Sequence, residues 1–214
     1  MIKKIELPKK IAVFPLSNFI IFPETTVPLN IFEPRYIEMI NDTMNGSKIF
    51  GVIQPKTKST DSKQDLYEIG CMGRITNLSK SEDGRYLIDL SGLSRFKIIE
   101  EVQNNKLYRE CKINFDDFKN DVSSKKEKIN SLDIKPIFKK MQKLFEKKGY
   151  ILNWEKIEKQ NLEQTINALS MASPFSLEEK QALLETKDLN LRKNKLEEIL
   201  NTYAVDNFSN TTLQ

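Results

Sequence analysis

Val13-Phe14-Pro15-Leu16, Phe22-Pro23 and Pro28-Leu29-Asn30-Ile31-Phe32-Glu33-Pro34-Arg35-Tyr36 set rigid prolines between short apolar runs and then open a helix. Val27, Leu29 and Ile31 alternate with Pro28 and Asn30, the period-two pattern of a half-buried strand, with proline tolerated at a sheet edge. Pro34 suits the first helical position, where its missing N–H costs nothing and its φ is already helical. Glu33 stands within reach of the first helical amides. Tyr36, Ile37, Met39, Ile40 and Met44 supply the buried side, and Asn45-Gly46 supplies a left-handed stop. The segment predicts a β-rich module with one short helix.

Working outward, Ile49 to Ile53 reads as a strand, and residues 55–65 form a polar loop with no large apolar side chain. Tyr67–Leu78, the turn Ser81-Glu82-Asp83-Gly84 and Arg85–Leu90 make a hairpin, because Asp-Gly readily supplies positive φ. Phe96–Val102 and Leu107–Phe115 make a second one across Asn104-Asn105. Short strands at this spacing suggest a sandwich or barrel. Gly70 and Gly73 flank Cys71-Met72, and within a strand such glycines mark a bulge or close packing. After residue 116 the pattern turns polar. Ile134, Ile137, Phe138, Met141, Leu144 and Phe145 then recur at helical spacing, up to Gly149. Further helices fit Trp154–Ile157, Leu162–Met171, Ser176–Glu185 and Leu189–Tyr203, with Ser176 and Glu179 forming a capping box. The expected plan is α+β: a β-rich domain over 1–118 and an α-helical domain over 119–214.

Length and composition narrow the chemistry. The chain has 214 residues, 39% hydrophobic and 30% charged, which fits a globular protein. Residues 1–118 hold 17 Lys+Arg against 16 Asp+Glu, net +1, whereas residues 125–148 hold nine lysines against three acids, net +6. Such a stretch reads as a solvated helix face or as a basic patch for an anionic partner. Histidine is absent, which excludes a Ser-His-Asp triad and any His-bearing zinc site. The seven glycines do not form a phosphate loop. Glu82/Asp83, Glu100/Glu101 and Asp116/Asp117 are adjacent carboxylates in turns or polar ends, where side chains diverge and stay solvated. Cys71 and Cys111 are widely spaced and read as small apolar strand residues of a reducing compartment. No apolar run reaches the roughly 18–20 residues that cross a bilayer, so a cytoplasmic protein without metal or cofactor is expected.

The blocks Val13-Phe14-Pro15-Leu16, Leu29 to Tyr36, Gly70-Cys71-Met72-Gly73-Arg74-Ile75, Asp83-Gly84-Arg85-Tyr86 and Leu93-Ser94-Arg95-Phe96 occur in order. Together they closely resemble the N-terminal domain family of Lon ATP-dependent proteases. The helical part, with Pro174-Phe175-Ser176-Leu177-Glu178-Glu179, is similar to the tail of short stand-alone bacterial members. The resemblance implies a PUA-like pseudobarrel followed by a helical bundle. It further implies a non-enzymatic module that binds unfolded or extended polypeptide, working alone or beside a full-length Lon protease, without ATPase or protease parts. Glu24 departs from the glycine of many relatives, which sets a tight turn there in question. Phe22, Phe32 and Tyr36 are candidate apolar contacts for a bound chain, and Arg35 and Arg95 candidate partners of its carbonyls or carboxylates. Each aromatic has a second reading as core, and Arg35 a second reading as the partner of Glu33 or Glu38. The rival function is an RNA-binding PUA-like barrel, which would show a steep dependence of affinity on salt.

Overall fold

The structure, a computed structural model, describes residues 7–56, 64–122 and 134–209, and the side chains of that last stretch up to 204. It divides into two compact units, Met1–Val122 and Ser123–Gln214.

In the first unit six strands, β1 (Lys10–Pro15), β2 (Thr26–Ile31), β3 (Ile49–Pro55), β4 (Leu66–Lys80), β5 (Tyr86–Val102) and β6 (Arg109–Asn114), form one sheet in the order β2-β5-β4-β3-β1-β6. An additional β5–β6 pairing closes it into a barrel that leaves β2 as a flap beside β5. β1 and β3 run parallel, because β2 and helix α1 (Pro34–Met44) intervene, and every other pair is antiparallel. Sequence reading splits Arg85–Leu90 from Phe96–Val102. The structure instead continues them as a single strand of 17 residues. That length lets β5 pair with β2 and β4 along its first part and with β6 from Lys97 onward.

Phe96 explains why glycines stand where they do. It belongs to a core cluster with Ile11, Val13, Ile49, Ile53, Met72, Cys111 and Ile113. A Cβ on Gly51 would lie 2.7 Å from its ring and one on Gly70 2.6 Å. Glycines on two neighbouring strands thus make the space that the ring fills. Burying a side chain of this size is worth about 1.5–3 kcal/mol. Gly70 therefore answers to close packing, while the step between Met72 and Gly73 is a register shift.

α1 has Pro34 at its first turn, as its sequence predicts, and buries Tyr36, Met39, Ile40 and Thr43. Its ends differ from expectation. Glu33 makes no side-chain cap, because its carboxylate is taken by Arg35. Asn45 is right-handed, and the left-handed residue after the helix is Lys48 at φ +61°, whose amide donates to the Thr43 carbonyl at 3.0 Å. The polar stretch after β6 is a 3₁₀ helix, Asp116–Val122, with Phe118 buried. The loop expected over 55–65 falls largely outside the described residues.

The second unit is helical: α2 (Lys135–Lys147), α3 (Trp154–Glu158), α4 (Leu162–Ala172), α5 (Leu177–Glu185) and α6 (Leu189–Ser209). The apolar stripe of α2, Ile137, Phe138, Met141, Leu144 and Phe145, is buried, as are Ile166, Leu169, Leu183, Leu184, Leu196, Ile199 and Leu200. Asn161 caps α4, and Ser176 with Glu179 closes the capping box of α5 in both directions. Gly149, at φ +73°, follows α2 where its apolar period stops.

Candidate functional site

Alternation along β2 decides which side chains reach solvent. Ile31 pairs with Tyr86 and points inward, buried, so Asn30 and Phe32 take the opposite face. Phe32 is 61% exposed. Leu87, the cross-strand partner of Asn30, is 50% exposed, and alternation puts it on the same outer face as a diagonal neighbour of Phe32. Two large apolar groups thus stand on the outside of the β2–β5 pair. β2 is also the end strand of the sheet order. Pro28 sits within it, opposite Asp89, and a proline is tolerated there when its nitrogen faces the open edge. An added strand would find a donor missing at that point. This edge therefore favours contact through side chains over extension of the ladder.

Arg35 opens a polar stripe on α1 that continues through Glu38 and Asp42. Its guanidinium bonds the Glu33 carboxylate at 2.8 and 2.9 Å and lies 4.5 Å over the Tyr36 ring. Further along, the stripe fastens the β5–β6 connection. The Leu107 amide donates to Glu38 at 3.3 Å, the Tyr108 hydroxyl to Asp42 at 2.6 Å, and Lys106 bonds both Tyr108 and Asp42. The Tyr108 hydroxyl bond, with Lys106, holds the Asp42 carboxyl below the usual range. Burial and the Asp42 carboxylate push the Tyr108 phenol up to about 12. The bond to Tyr108 and the neighbouring carboxylates raise Lys106 as well. Each of these groups keeps one protonation state around neutral pH, which suits a clamp and not a proton shuttle. Leu107 is held outward by the clamp, 62% exposed.

Three of the five residues chosen from sequence lie inside the protein. Phe22 is fully buried, since its carbonyl approaches β5 so closely that a Cβ on Gly92 would come within 2.0 Å of it. The turn that follows is tight after all. Glu24 adopts φ +59°, its amide donates to Gly92, and Gly92 donates to Thr25. Tyr36 is buried against Phe14, with ring centroids 4.3 Å apart, and burial raises its phenol despite the Arg35 charge beside it. Arg95 is 2% exposed. Its Nε and Nη2 grip the Asp121 carboxylate at 2.9 and 2.7 Å, its backbone amide adds a bond at 2.9 Å, and its guanidinium lies 4.3 Å over Phe118. A bidentate pair stacked on a ring anchors the 3₁₀ helix to β5 and leaves no fork for a ligand. Of the five, the structure brings Arg35 and Tyr36 together and leaves Phe32 and Arg35 accessible. Leu87 and Leu107 were missed from sequence. The strand alternation around Leu87 was a usable signal, whereas nothing local marks Leu107.

Among the described residues no helix is long and apolar enough to cross a membrane. Cys71 and Cys111 are both buried and form no disulfide, and burial pushes the Cys111 thiol up to about 11, away from the reactive thiolate.

Residues 10–202 match the family model described as the substrate-binding domain of ATP-dependent protease La (LON). Among curated proteins, a Lon protease of Flavobacterium johnsoniae is 29% identical over 87% of this chain, and Lon protease 2 of Myxococcus xanthus is 29% identical over 94%. The chain spans about a quarter of those relatives, 23% and 24% of their lengths. Among solved structures, a Lon N-terminal domain protein from Xanthomonas campestris superposes with a TM-score of 0.61 at 19% identity, covering 90% of this chain and 97% of that one. The N-terminal domain of a Mycobacterium avium complex Lon protease gives 0.59 at 17% identity, covering 90% and 98%. At these identities the superpositions speak to the α+β fold alone.

Proposed function

The chain belongs to the LON substrate-binding domain family, and on that premise we propose that it is a non-enzymatic module that holds unfolded or extended polypeptide. The observation that carries this reading is the match of a substrate-binding family model across residues 10–202. Its relatives place such a domain within a much longer protease, so work on behalf of a Lon-type protease in the cytoplasm is part of the proposal. The contact surface is the outer face of β2–β5, with Phe32 and Leu87 as apolar anchors and Arg35, three residues after Phe32, as the charged donor. Side-chain anchoring suits a binder of varied clients, because exposed apolar groups recognise what misfolded chains display rather than one motif.

Isothermal titration with a reduced, carboxymethylated polypeptide tests it. The reading expects saturable binding, weakened roughly tenfold in a Phe32→Ser/Leu87→Ser protein, as for loss of an apolar hot spot. Binding that is absent, or indifferent to the double substitution, would sink it.

A further inference from the structure

Two lysines of α2 border a groove within the helical unit. Lys140 is committed to α6, bonding Glu197 at 3.3 Å and Asn201 at 2.7 Å. Lys135 and Lys139, four residues apart on a neighbouring stripe, are exposed and make no ion pair among the described residues. They stand on one wall of a half-open cavity of about 470 Å³. Its apolar lining is Phe138, Ile134 and Leu162, and Glu158 at the end of α3 lines it as well. Phe138 is backed by Trp154, edge-on with ring centroids 5.4 Å apart.

Shape and charge together select the occupant. A volume in this range suits one or two large side chains with their backbone. An apolar floor is best covered by an apolar side chain. The rim is uneven, with two ammonium groups from α2 against the single carboxylate of Glu158. A nucleic acid strand would satisfy the lysines and could stack a base on Phe138, but it would set phosphate against Glu158. We propose that this groove docks an acidic polypeptide segment carrying a large apolar side chain, the side chain seated on Phe138 and Leu162 and its carboxylates paired with Lys135 and Lys139. Glu158 then sets direction, since the acidic residues must lie toward α2. All the residues of this groove belong to the helical unit.

Trp154 is the single tryptophan of the chain and adjoins the groove floor, so its fluorescence reports occupancy. The probes are a short peptide with a run of glutamates before a Leu-Phe pair, the same peptide with lysines for glutamates, and a single-stranded RNA oligonucleotide. The glutamate peptide is expected to give a saturable change in Trp154 emission, and the lysine peptide and RNA none. Lys135→Glu/Lys139→Glu should weaken the glutamate peptide roughly tenfold, and Lys139→Gln by a smaller factor, because each reversal turns an attraction into a repulsion. Phe32→Ser/Leu87→Ser should leave it unchanged, which separates failure here from failure of the barrel surface. Equal response to both peptides, equal affinity in the charge-reversed protein, tighter binding of RNA, or no saturable change would each overturn the proposal.

Discussion

Glu24 occupies a backbone region that non-glycine residues enter at a cost of about 1–2 kcal/mol. Its amide bond to Gly92 and the Thr25 hydroxyl bond to the Phe22 carbonyl keep it there. Replacing Glu24 by Gly relieves that strain and loses part of the gain to the freer unfolded chain. The expected outcome is a stabilisation of about 0.5–1 kcal/mol in urea denaturation. Arg95 and Asp121 argue the opposite case. Arg95 is buried, so removing its half-buried partner strands the charge inside. Asp121→Ala should cost about 3–5 kcal/mol in the same experiment. The turn at Glu24 was legible as a question from the missing glycine. The fate of Arg95 was not, because its partner lies 26 residues away in a stretch whose composition reads as a linker. Local pattern reports the period of a strand; it carries no record of which distant carboxylate meets a buried guanidinium.

Elements fared better than residues. Helices α2, α4 and α5 follow from apolar spacing, and α5 also from the capping box at Ser176, since caps and periodicity are both local. The sequence reading divides β5 between Leu90 and Phe96, the stretch where Gly92 lets the Phe22 carbonyl come close. The packing of Phe96 over glycines makes its own prediction. In Gly70→Ala the new methyl would fall 2.6 Å from the Val52 carbonyl as well as from the ring, so strands β3 and β4 must part. A loss of about 3 kcal/mol is expected by thermal or chemical denaturation, at the upper end of overpacking costs. The β5–β6 connection adds a pH dependence. Burial alone would raise the Glu110 carboxyl, but bonds from Lys10 and Asn104 and the Lys106 charge outweigh it and leave it lowered, and Asp42 is lowered too. Carboxyls lowered by folding contribute stability that is complete above their unfolded values, near pH 4, and is lost as pH falls through the folded ones. Hydrogen exchange at the Leu107 amide should therefore quicken below about pH 4 before the rest of the barrel responds.

At the scale of the whole molecule, the α+β plan was legible because strands, turns and helices each carry their own signals, whereas those signals left sandwich and barrel both open and only the family resemblance implied the barrel. The proposed contact surface was half legible: exposure of Phe32 follows from alternation next to Ile31, while the burial of Phe22 and Tyr36 is set by partners on other elements. The account stands or falls on where a bound chain lies. A photo-reactive residue in place of Leu87 tests this directly, with a second placed at Leu191, which is similarly exposed at 48% but belongs to the other unit. With a carboxymethylated polypeptide free of glutamate-rich apolar segments, cross-links are expected from position 87 and not from 191. Equal capture at both positions, or capture at 191 alone, would contradict a client held on the outer face of β2–β5.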